Sequence, residues 1–209
     1  MKKLYGGLKM NWLSVVLFAV IAGCYTGWIM TVDCLKGSSF QDIGTYFEWW
    51  VIFAVIIVVN CQKSWEAMLK CFVFFLISQP LVFLIEVLLG HLSSDMIGYY
   101  YLYNWLPKTF LTLPGGFVAY FCKKENVAGA VILAIANTMQ LLMGLYYSVQ
   151  AAANFPYHIL SALVCYGSIF AMTFCIQKKK RNRLIALLLP VLLALIVVVG
   201  LKMMGRNLF

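Results

Sequence analysis

Acidic side chains are scarce: 209 residues carry seven Asp and Glu, two His, and sixteen Lys and Arg. Charged residues are only 11% of the chain and apolar ones 64%, far from the roughly 25% and 45–50% of soluble domains. No polar stretch between the apolar runs is long enough for a soluble domain. Also missing are the motifs of site chemistry: HExxH, paired intramembrane aspartates, GxSxG and a P-loop. These absences argue against an enzyme and a self-contained primary pump, so energy coupling would need an ion gradient or a partner ATPase. The seven cysteines include no CxxC and no Cys/His pairing at zinc spacing, so neither a metal, a cofactor nor a disulfide framework is expected.

What the chain does have is apolar runs long enough for a bilayer, which a helix crosses in about 20 residues. Hydropathy and length predict spans at about 11–32, 46–60, 68–90, 105–121, 127–148, 157–176 and 184–201. The expected fold is all-α: one polytopic integral membrane helix bundle over 1–209, with about seven transmembrane helices. Lys and Arg accumulate on the cytoplasmic side of membranes. An N-terminus inside and C-terminus outside puts twelve of the sixteen basic residues on the inner side. These include Lys2, Lys3 and Lys9, Lys63 and Lys70, Lys123 and Lys124, and the run "QKKKRNR" at 177–183. Lys36, Lys108, Lys202 and Arg206 fall outside, with Asp33, Asp42, Glu48 and Asp95.

The net charge of +9 therefore reads as topology anchoring rather than nucleic-acid binding. The 177–183 run could also attract anionic headgroups or touch a cytoplasmic partner. The expected location is the cell membrane, multi-pass, of bacterial inner-membrane type, with membrane lipids as partners. The stretch "IAGC" at 21–24 resembles the lipobox of bacterial lipoprotein precursors. The apolar run continues through "YTGWIMTV", however, so a retained helix is expected. In it Ala19, Gly23 and Gly27 recur every four residues, a small-residue seam for close helix packing.

The third span, "FVFFLISQPLVFLIEVLL" at 72–89, carries Gln79, Pro80 and Glu86 in otherwise lipid-soluble sequence. Pro80 predicts a kink, and Gln79 and Glu86, seven residues apart, share a face. Glu86 is expected to pair with Lys108 across a long connection from Gly90 to Asn104. In the fourth span Lys108, Thr112, Gly115 or Gly116, and Ala119 recur at helical spacing, and Pro114 predicts a kink or break. The fifth span aligns Asn137, Gln140 and Gly144, and the sixth His158, Ser161, Cys165 and Ser168. Aromatic clusters "YFEWW" at 46–50 and "YYYLYNW" at 99–105 read as interfacial belts, or as the rim of an outward-facing pocket.

These features predict a protein that binds or transports a small solute or ion through an outward-facing polar cavity. Its substrate-binding residues would be Gln79, Glu86, Lys108, Thr112, Asn137, Gln140 and His158. The alternative is a noncatalytic membrane module, an immunity, assembly or sensing protein working with a partner membrane protein. No second acidic residue at mid-membrane depth, of the kind gradient-coupled carriers often use, is evident.

Overall fold

The computed structural model describes residues 4–153 and 157–203, with the side chains of 44, 45 and 100 excepted. Lys2, Lys3 and Arg206, placed above on the two membrane sides, lie outside the described residues. The chain is 84% helix and the described residues contain no strand. It divides into two compact units, Gly6–Tyr120 and Met1–Tyr5 with Phe121–Phe209.

In the first unit α1 (Trp12–Met30) begins where Asn11, in extended backbone, accepts the Ser14 N–H at 2.7 Å, satisfying a donor that the helix cannot. After α2 (Ser39–Thr45) come α3 (Phe47–Val59) and α4 (Ser64–Leu88). The Glu66 carboxylate folds back onto the Gln62 N–H at the start of α4. At the other end Gly90, at φ +76, closes a Schellman turn. Its N–H donates to Val87 O at 3.0 Å and that of His91 to Glu86 O at 2.9 Å. The helix runs through Pro80 without interruption.

Residues 90–104, expected as a connection, are helical from Ser94 onward: α5 (Ser94–Gly98) leads into a π-helical stretch (Tyr99–Trp105) and then α6 (Leu106–Ala119). Leu106 N–H still reaches back five residues to Tyr101 O. Pro107 follows with no N–H to give, and there the wider ladder yields to the α-helical one. The break expected at Pro114 is absent, since α6 continues through it. The irregular backbone lies earlier, in the π-helical stretch Tyr99–Trp105, about three to four turns before Pro114.

The seam on α1 packs against α4. A Cβ added at Gly23 would stand 2.6 Å from the Ser78 carbonyl oxygen, and one at Gly27 2.6 Å from that of Val82. Without those Cβ atoms the two backbones approach closely enough for dispersion to hold them. Phe18, Trp50, Phe53 and Phe74 interlock beside this seam, with ring centroids 5.0–6.2 Å apart. Trp50, assigned to an aromatic belt, is thus buried. Tyr99 and Tyr103 of the other aromatic cluster are exposed.

The second unit packs α7 (Val127–Ala153) against α8 (Ile159–Ile176) and α9 (Lys180–Met203). Five helices, α1, α4, α7, α8 and α9, are long and apolar enough to cross a membrane. The expected spans at 46–60 and 105–121 form helices of 13 and 14 residues, α3 and α6, each short of the required length.

Candidate functional site

The polar residues foreseen in the second unit make internal bonds, although Asn137 Oδ1 is buried with no hydrogen-bond partner among the described residues. Asn137, fully buried on α7, donates through Nδ2 to Thr173 Oγ1 of α8 and to Ala186 O of α9, both at 2.9 Å. Ala186 O would ordinarily accept from residue 190, but Pro190 has no N–H. Three residues on, Gln140 Oε1 accepts from Ser168 Oγ at 3.1 Å. Gly144, a further turn along, lets the Tyr166 ring in, and Tyr166 OH meets Ser148 Oγ at 3.0 Å. His158 sits just before α8 at φ 66, its ring stacked on the buried Tyr147 at 5.7 Å. The stripe is therefore a zipper of interhelical hydrogen bonds, each contributing about 0.6 to 2 kcal/mol.

In the first unit the expected Glu86–Lys108 pair is not formed. Among the described residues the ion pairs are Lys36–Asp33 and Lys70–Glu66, and the Lys108 ammonium lies 4.6 Å above the Trp105 ring. The register explains this. Gly116 of α6 abuts Ala67, Met68 and Cys71 of α4. Eight residues back along the antiparallel α6, Lys108 stands level with about residue 77. Glu86 is nine residues further, roughly 13 Å at 1.5 Å per residue. Glu86 belongs instead to the last turn of α4, with its own carbonyl in the Schellman turn. Thr112 donates to Thr109 O at 2.6 Å, within its own helix.

Gln79, in the first unit, is a further buried side chain with an unmet polar group. It is 3% exposed and its Nε2 has no hydrogen-bond partner among the described residues, and its neighbour Ser78, 0% exposed, likewise leaves Oγ without one. Both lie near the middle of α4, where no terminus supplies spare groups, although Pro80, next in sequence, has no N–H to give Leu76 O. An unsatisfied buried polar group costs about 1–3 kcal/mol.

Sequence reasoning missed other buried polar groups. Lys70, taken as a loop anchor, is 2% exposed; its ammonium binds Glu66 and the Met10 carbonyl and lies 5.5 Å from the Trp12 ring. The i,i+4 spacing of Glu66 and Lys70 was the available signal. Asp42 and Glu48, expected on the outer side of the membrane, are buried within the protein. No group of three or more His, Cys, Asp and Glu that could hold a metal occurs among the described residues. No family model matches the chain, and no curated protein or solved structure does either.

Proposed function

We propose that the chain is a multi-pass membrane protein that binds a small solute at Ser78 and Gln79 and carries it across the bilayer. The observation behind this reading is the unmet hydrogen-bonding capacity of those two adjacent side chains, in a setting where hydrocarbon offers no water. Gln79 Nε2 is a donor, so the missing partner bears an acceptor oxygen, a carbonyl, carboxylate or hydroxyl group, rather than being a bare cation. Under this reading the protein has seven spans with the N-terminus inside and the C-terminus outside, α3 and α6 crossing with help from their flanking segments. It works without catalysis, driven by an ion gradient or a partner ATPase.

The test is a thermal-shift screen of the purified chain against carboxylate- and carbonyl-bearing metabolites and, separately, inorganic cations. A carboxylate or carbonyl compound should stabilise the parent and not Gln79→Leu. Gln79→Leu without ligand should melt no lower than the parent, because it removes an unsatisfied group. A lower melting temperature would mean that Gln79 is structural and would sink the proposal. The second reading, a noncatalytic module, is favoured by the internal use of Asn137 and Gln140 and by Glu86 lying in a terminal turn. It becomes the conclusion if no compound in the screen binds.

A further inference from the structure

We infer that one end of the second unit is a preformed clamp for anionic lipid headgroups, independent of the solute site. Two loops meet there, one before α7 with "KKE" at 123–125 and one before α9 with "QKKKRNR" at 177–183. Gln177, wholly buried, spans them: Nε2 donates to Cys122 O at 2.5 Å and Lys124 O at 3.2 Å. Its Oε1 accepts from Asn182 Nδ2 at 3.1 Å, and its backbone carbonyl accepts from Arg183 Nε at 2.7 Å. Glu125 completes the lock, its two oxygens accepting the N–H groups of Lys178 at 2.7 Å and Lys179 at 3.2 Å.

The chemistry of the result is one-sided. Glu125 is the only acid in residues 121–209, and both its oxygens are turned to backbone donors. Seven basic residues are thereby gathered at one helix-bundle end, and Lys124, Lys178, Lys179, Lys180 and Arg181 are exposed there. The Arg183 guanidinium lies 5.1 Å from the Phe174 ring and the Lys124 ammonium 4.6 Å from that of Phe121. Cations held beside aromatic and apolar surface suit the level where headgroups meet acyl chains. A flexible basic loop would attract a negative membrane diffusely. Here hydrogen bonds fix the two loops against each other, so binding depends on the lock as well as on the charge count.

The experiment titrates the purified full chain in neutral detergent with phosphatidylglycerol, phosphatidylcholine or inorganic phosphate, reading bound lipid by native mass spectrometry. Phosphatidylglycerol should bind at least about tenfold tighter than phosphatidylcholine, since each basic residue near a charged surface contributes about fivefold. Lys124→Gln with Lys179→Gln and Arg181→Gln should abolish that preference, and Lys202→Gln, in the last turn of α9, should leave it intact. Glu125→Ala discriminates most sharply. It raises the net positive charge, so charge alone predicts tighter binding, whereas loss of the lock predicts binding at least threefold weaker. Equal affinity for the two lipids, tighter binding by Glu125→Ala, or displacement of the lipid by millimolar phosphate would each overturn the proposal. Should Glu125→Ala fail to fold, the lipid ratio of the parent and the triple variant still decide.

Discussion

Asn137 serves the carbonyl that Pro190 leaves vacant: its Nδ2 lies 2.9 Å from Ala186 O, with Thr173 Oγ1 at the same distance. A proline in a helix interior normally forfeits a bond, and here a neighbouring helix replaces it. Asn137→Leu should therefore destabilise the protein by about 1–3 kcal/mol, since it orphans a buried carbonyl. In the background of Pro190→Ala, whose restored N–H serves that carbonyl, the same substitution should cost measurably less. Equal costs in the two backgrounds, from reversible unfolding in detergent, would show the contact to be incidental.

The glycines separate into two kinds. Gly23→Ala and Gly27→Ala should each drive α1 off α4, because the added carbon would stand 2.6 Å from a carbonyl oxygen that has no room to retreat. Gly116→Leu should do the same to α6, whose Gly116 faces Ala67 and Met68. Gly115→Ala meets nothing within 4 Å and should be neutral or stabilising by up to about 1 kcal/mol through helix propensity. Thermal melts of the four variants, with Gly115→Ala as destructive as Gly23→Ala, would refute the packing described.

What the sequence disclosed follows from how local each feature is. The apolar runs locate α1, α4, α7, α8 and α9 to within a few residues, and the Ala19, Gly23 and Gly27 periodicity marks a packing face before any partner is known. Gln140 and Ser168 could each be placed on a polar stripe, but not joined, since residues 28 apart meet only through tertiary register. The same limit misled the depth argument for Glu86 and Lys108. Treating 90–104 as loop put both at one level, whereas helix from Ser94 carries Lys108 far down α4. Hydropathy also reads Lys70 as a solvated charge, because it cannot see that Glu66 and Met10 O are within reach.

Cysteine reactivity offers a chemical check on both burial and topology. Cys34 is exposed in the short 3-10 turn Asp33–Leu35, and Cys122 is buried in the 3-10 turn Tyr120–Lys123 with its thiol pushed up to about 12 by that burial. The raised value means that the reactive thiolate is absent at pH 7–8 and emerges only toward pH 12. A membrane-impermeant maleimide applied to intact cells at pH 7.5 should therefore modify Cys34, on the outer side in the proposed orientation, and spare Cys122. Mass spectrometry after digestion reads the outcome. Modification of Cys34 only after cells are opened would reverse the orientation.

The Lys70–Glu66 pair yields the last prediction. Lys70 is almost wholly enclosed, with its side chain 3% exposed against 22% for Glu66, and it also holds the chain segment entering α1 through Met10 O. Removing the ammonium alone by Lys70→Met leaves a carboxylate and a backbone carbonyl without their donor. The loss should be about 3 kcal/mol, the low end of the range for a broken buried pair because water still reaches Glu66. Removing the carboxylate alone by Glu66→Leu should cost less, since Met10 O continues to bind the ammonium, although the donors at Gln62 and Lys63 lose their acceptor. Lys70→Met with Glu66→Leu should be milder than the sum of the two, a coupling that a double-mutant cycle in detergent measures directly. Strict additivity would mean that the two groups stand near each other without stabilising the fold.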